Sequence, residues 1–230
     1  MRKIKLVLLL SIIAGFNVSA QTYRIDTSQV SLEKKLRPCL EVRYDASSKT
    51  VKKAWDDFFK KNYNVKIKGI GFMTNKDMIT ATDISIASIS DKRMDMYAYV
   101  TDVSGGSTLK YFMSFGYDFF IGPDNYATEF AGMKKILNDF SVEFLIDFYG
   151  SEASRITKEI KELEKDIRKN NKTIKKNIRK ARKKSSDVAS GMQSKNTSLH
   201  MENEQKKVKI TEYSKEIETI KVKQAGITRN

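Results

Sequence analysis

The sequence predicts an α+β fold: an antiparallel sheet, ordered strand, helix, four-strand meander, helix, followed by an α-helical coiled-coil hairpin. Three observations predict it. Period-two apolar runs lie between residues 40 and 117, amphipathic stretches of helical period flank them, and two sparse Ile/Leu stripes follow residue 150. Domain limits follow as 1–20 for a signal peptide, 21–150 for an α+β globular domain and 151–230 for a basic helical hairpin.

The first twenty residues read as an export signal. Arg2, Lys3 and Lys5 precede an apolar run from Leu6 to Phe16, and Val18-Ser19-Ala20 supplies the small-x-small cleavage pattern. Cleavage after Ala20 would leave Gln21 as the new N-terminus, and the mature chain is expected to be periplasmic or secreted. The apolar run falls short of the ~20 residues that span a bilayer, and no other segment reaches that length. Cys39 is the single cysteine, which excludes an internal disulfide and reads best as a small buried apolar residue.

After a polar lead-in, Leu40, Val42 and Tyr44 alternate with Glu41 and Arg43 as in a half-buried strand that Pro38 opens. Ser47 or Ser48 can cap a helix that buries Val51, Ala54, Trp55 and Phe58 and exposes the lysines and aspartates between them. Four strands are then expected: Val65 to Lys68, Met78 to Ile89, and two runs flanking Ser104-Gly105-Gly106-Ser107. With the Gly pair at the centre of the turn, paired residues sum to 211, so that Met94, Met96, Ala98 and Val100 oppose Tyr117, Phe115, Met113 and Tyr111. The opposite face carries Tyr97, Tyr99 and Phe112, a candidate partner surface as well as an ordinary aromatic cross-strand set. Gly122-Pro123-Asp124 ends the sheet, and a helix follows with Tyr126, Phe130, Met133, Leu137, Phe140, Phe144 and Phe148 on one stripe.

Beyond Gly150 the composition changes. Formal charge is +15 overall, with 43 basic and 28 acidic side chains. Residues 21–150 carry 18 basic and 17 acidic groups, whereas residues 151–230 carry 22 and 11, so the excess belongs to the C-terminal part. Ile156, Ile160, Leu163, Ile167, Asn171, Ile174, Ile178 and Ala181 form one stripe, and Leu199, Asn203, Lys206, Ile210, Tyr213, Ile217, Ile220, Gln224 and Ile227 a second. Ser185 to Ser198, weakly apolar, is expected to be the turn between them. A monomeric hairpin and a coiled-coil homodimer share this pattern. The candidate polyanion-binding residues are Arg168, Lys169, Lys172, Lys175, Lys176, Arg179, Lys180, Arg182, Lys183 and Lys184, ten cations with no acidic residue among them.

Catalytic signatures are not found. His200 is the only histidine, far in sequence from Cys39, and Gly69-Ile70-Gly71 lacks the third glycine of a dinucleotide fingerprint. Asp56 with Asp57 and Asp91 with Asp95 are the carboxylate pairs, placed as adjacent helical neighbours and around a turn. The expectation is an exported, non-catalytic envelope or secreted protein without metal or cofactor, whose basic hairpin contacts an anionic envelope component or an acidic protein. Export and the lack of aromatics in 168–184 argue against nucleic acid. The alternative is a periplasmic binding module holding an apolar ligand or peptide between the sheet and the Phe-rich helix.

Overall fold

The structure is a computed structural model that describes residues 22–70 and 77–227, so the expected signal peptide lies outside the described residues. Among these, β1 (Ile25–Leu32), β2 (Lys35–Tyr44), β3 (Met78–Ile84), β4 (Met94–Val103) and β5 (Gly106–Ser114) form one antiparallel sheet in the order β1-β2-β5-β4-β3. Helix α1 (Ser48–Tyr63) joins β2 to β3, and α2 (Ala127–Ala181) and α3 (Ser186–Ala225) follow the sheet. The fold is α+β.

The strands are distributed differently from the expectation. Two precede α1 and three follow it, so the expected four-strand meander is not formed. The polar lead-in is β1, an edge strand in which only Val30 is buried, so it carries no alternation to detect. Val65 and Ile67 are buried and Lys66 and Lys68 exposed, as the period predicts, but this segment reaches the sheet only through a bridge from Lys68 to Thr80.

The β4–β5 hairpin keeps the predicted faces but not the predicted partners. Met96 pairs with Met113, Ala98 with Tyr111 and Val100 with Leu109, two residues away from the expected register. Ser104 and Gly105 form the turn, and Val103 already pairs with Gly106. A two-residue slip restores the same face. Gly106 is needed as a strand residue, because a Cβ there would stand 2.0 Å from the Tyr44 carbonyl oxygen.

Both α1 and the first part of α2 lie on the face that carries Leu40, Val42, Tyr44 and Tyr111. Trp55 is fully buried, with Phe140 at 4.7 Å, Phe59 at 4.6 Å and Tyr111 at 5.1 Å between ring centroids. Tyr44 packs edge-on against Phe144 at 5.1 Å, and its hydroxyl shares a 2.6 Å hydrogen bond with Ser141. Such aromatic pairs add about 0.5–1.5 kcal/mol each beyond the area they bury. At the start of α1, Ser47 Oγ accepts from the Thr50 N–H, while the Asp102 carboxylate accepts from the Ser48 N–H at 2.7 Å and the Ser48 hydroxyl at 2.8 Å. The bond from the Ser48 backbone holds Asp102 below the usual carboxylate pKa, as an anion at a helix N-terminus.

Helix α2 continues without a break through Gly150 and Ser151, where the composition changes. It starts at Ala127 with Tyr126 at the cap position, and Asp124 does not cap it. Asn125 instead ties the preceding turn, accepting from Gly122 N–H and donating to the Phe120 carbonyl. The turn to α3 is short, Arg182 to Ser185, and most of the expected Ser/Asn-rich turn is helical. Within that stretch Asn196 is tied to Asn177 of α2 at 2.9 Å.

Helices α2 and α3 run antiparallel. Asn177 donates to Asn196 at 2.9 Å, Asn170 donates to Asn203 at 3.0 Å, Asn203 donates to Asn171 at 3.0 Å, and the Tyr213 hydroxyl donates to Glu159. Ile156, Ile174 and Ile220 are buried along the same seam. The far end of α3 returns to the sheet domain, where Asp45 accepts from Lys223 Nζ at 2.5 Å and from the Tyr149 hydroxyl at 3.0 Å.

Burial raises the Asp45 pKa, but the bonds from Lys223 and Tyr149 outweigh it and hold the carboxylate below its ordinary 3.8. A folded-state value below the unfolded one gives stability that is present above pH ~3.8 and lost as pH falls through the folded value. Amide protection in the last turns of α3, taken relative to the intrinsic exchange rate at each pH, is therefore expected to fall selectively on acidification, and Asp45→Asn is expected to abolish that pH dependence. Equal loss of protection in wild type and variant would contradict the assignment. In the seam, Asn203→Ala removes two hydrogen bonds, and a cost of about 1–2 kcal/mol is expected. The matching observation is faster exchange in residues 170–181 and 186–203 with the sheet unchanged; a uniform response would contradict a local role.

Candidate functional site

The strongest chemical asymmetry lies at the turn end of the α2–α3 pair. From Tyr149 to Ala181, α2 extends about 48 Å at about 1.5 Å per residue, longer than the roughly 33 Å of the ten-residue β4. Charges along it change character with distance from the sheet. Near the domain, Arg155 pairs with Glu152 at 2.9 Å and Glu159 at 2.6 Å, and Lys165 pairs with Glu162 at 3.2 Å. Arg168 reaches Glu164 at 3.8 Å and Lys169 reaches Asp166 at 3.1 Å, and these are the last ion pairs on α2 among the described residues.

Beyond them, Lys172, Lys175, Lys176, Arg179, Lys180, Arg182, Lys183 and Lys184 are exposed. The helix beside them does not neutralise them: between Lys169 and Met201 the chain holds nine basic residues and one acidic residue, Asp187. Seven of the ten candidate cations thus lie on the distal part of α2 and three, Arg182, Lys183 and Lys184, in the turn that follows it, and α3 adds Lys195 at the same end. Lys206, expected in the seam, is held by Glu202 at 2.6 Å and Asp166 at 3.6 Å, so its charge is spent within the arm.

The aromatic face of the sheet is arranged differently. Phe112 is fully buried, with Tyr97 and Tyr99 stacked beside it at 5.2 and 6.1 Å, 13° from parallel in both cases. Phe120 covers the group, and the Arg37 guanidinium lies 4.2 Å above the Phe120 ring while pairing with Asp118 at 2.5 Å. Phe112 is therefore not available to a partner, and only the half-buried rims of Tyr97 and Tyr99 remain. Cys39 sits under the same group, and burial pushes its thiol up to about 11, which keeps it protonated and non-nucleophilic.

Between the sheet and α2, Trp55 packs against Tyr111 at 5.1 Å and against Phe140 at 4.7 Å. Open volume lies between α1 and α2, a cleft of about 1130 Å³. Phe58, Phe140, Phe144 and Phe148 form its floor, Lys49, Lys53 and Lys61 one rim, and Glu143, Asp147 and Glu152 the other. Lys61 crosses to Glu143 at 2.7 Å, and Lys53 is paired along its own helix with Asp57 at 2.5 Å. Sequence periodicity marks those residues as two separate amphipathic faces, and only the placement of the helices beside one another makes a groove of them.

The carboxylate pairs do not converge. Asp57 is bound to Lys53, the Asp56 carboxylate accepts from the Ile67 N–H, and Asp95 accepts from the Asp83 N–H at 2.9 Å. His200 is exposed on α3, and no group of three His, Cys, Asp or Glu side chains could hold a metal ion among the described residues. No helix among those residues is long and apolar enough to cross a membrane. Compared with protein-family models, curated proteins and solved structures, the chain matches none.

Proposed function

We propose that the protein is exported and non-catalytic, and that α2 and α3 form a coiled-coil-type hairpin whose basic tip contacts an anionic surface or an acidic partner. One observation carries this reading: beyond Lys169, where the ion pairs on α2 end among the described residues, nine cations stand against one acid at the end of a roughly 48 Å arm. Repulsion between lysines at three- and four-residue spacing costs a few tenths of a kcal/mol per pair. A solvated helix needs no such run, whereas a surface of opposite charge returns about 1 kcal/mol per basic residue at low salt. Nucleic acid fits less well, since no aromatic side chain is interleaved with the cations of residues 168–184 to stack on bases.

Titration with a fluorescent heparin fragment tests the reading at ~0.1 and ~1 M salt, where the screening length falls from ~10 to ~3 Å. Binding is expected at low salt and lost at high salt. Replacing Lys175, Lys176, Arg179, Lys180, Lys183 and Lys184 with Gln is expected to weaken it by well over about ten-fold. Affinity unchanged by those substitutions would overturn the proposal.

The α1–α2 cleft supports a second reading, a site for an apolar chain on the Phe58, Phe140, Phe144 and Phe148 floor. Partition of a fluorescent fatty-acyl probe into the cleft is expected to be lost in Phe148→Asp, and equal partition in wild type and variant would exclude that site.

A further inference from the structure

At the turn end of the arm, apolar side chains outlast the seam that would bury them. Ile156 is fully buried and Ile174 is 5% exposed, but Ile178, one turn from the end of α2, is 45% exposed. Val188, in the first turn of α3, is also 45% exposed. A Cβ at Gly191 would meet nothing within 4 Å, so neither helix packs over that position. Lys175, Lys176, Arg179, Lys180, Arg182, Lys183 and Lys184 lie within two turns of these aliphatic groups along α2 and the connecting turn.

A sulfated glycan or an acidic protein strand would use the cations and leave the aliphatic groups in water. A lipid interface uses both, because charged headgroups lie directly above a layer that accepts aliphatic side chains. Lysine and arginine stems can lie along that apolar layer while their charged ends stay at headgroup level. No tyrosine, tryptophan or phenylalanine is present at the tip, so shallow aliphatic contact replaces the aromatic anchoring common at interfaces.

We propose that the arm's tip docks on an anionic phospholipid surface, with its lysines and arginines on headgroup phosphates and Val188 and Ile178 seated beneath them. This rests on the polyanion reading above and narrows it to one class of anion. The full-length mature chain would be mixed with vesicles of equal parts phosphatidylglycerol and phosphatidylcholine, with pure phosphatidylcholine vesicles, and separately with heparin. Co-sedimentation with the anionic vesicles only is expected. Val188→Ser is expected to lower that partition about ten-fold while leaving heparin affinity unchanged. Val188→Trp should raise it and give emission that shifts to the blue on vesicle addition. Heparin binding without vesicle binding would overturn the lipid docking and leave the polyanion reading standing; binding to neither would remove both. Vesicle partition insensitive to either Val188 substitution would overturn the seating of the aliphatic groups.

Discussion

Helix α2 has to satisfy two environments along a single axis, and the rest of the structure follows from that. Its first turns carry Phe130, Met133, Leu137, Phe140 and Phe144 into the core against the sheet and α1, where Trp55 and Tyr44 close around them. Its last turns are exposed on most sides and rely on α3 for the little apolar cover they have. The direction of the arm is thereby set by the core, with no linker between the two parts. Helix α3 completes the arrangement by bringing Ile220 back to the core cluster and Lys223 to Asp45.

Stability along the arm is graded in the same direction. Close to the sheet, buried isoleucines, the Tyr213–Glu159 hydrogen bond and several ion pairs reinforce one another. Surface pairs of this kind contribute only about 0.3–0.5 kcal/mol each, so the seam and the asparagine bonds define the pairing. Asn203 is almost wholly buried and bonds both Asn170 and Asn171, which opposes sliding of one helix past the other at a cost in stability. Further out, apolar contact thins while positive charge accumulates. That gradient separates a part of the molecule that holds itself together from a part whose cations beyond Lys169 pair with no acid among the described residues.

Sequence periodicity was informative where one face of an element is buried and the other is not. The core faces of β4 and β5, the Phe-rich stripe of α2 and the buried Val51, Trp55 and Phe58 of α1 follow from it, whereas Lys52 of α1, expected to be exposed, is 2% exposed. It was blind to β1, an edge strand whose residues are mostly exposed on both sides, and it took the alternation of Val65 and Ile67 for a paired strand. Pairing depends on where the chain turns: moving the turn one residue from Gly105-Gly106 to Ser104-Gly105 shifts the register by two while leaving the faces intact. The shift in charge at Gly150 marks where α2 leaves the core, although no break in the helix accompanies it. The basic tip was legible as composition. The α1–α2 cleft was not, because it exists only once the two helices are set side by side.

An arm that presents its tip at a fixed distance makes the basic end a reach as well as a charge. Pulsed dipolar spectroscopy between spin labels at Ser151 and Lys180, both exposed on α2, measures that directly, with the buried Cys39 left unlabelled. Continuity of the helix predicts one narrow distribution centred near about 44 Å, allowing about 1.5 Å per residue. A broad distribution at shorter distances would show a broken or fraying arm, and the rigid presentation of the basic tip would then be wrong.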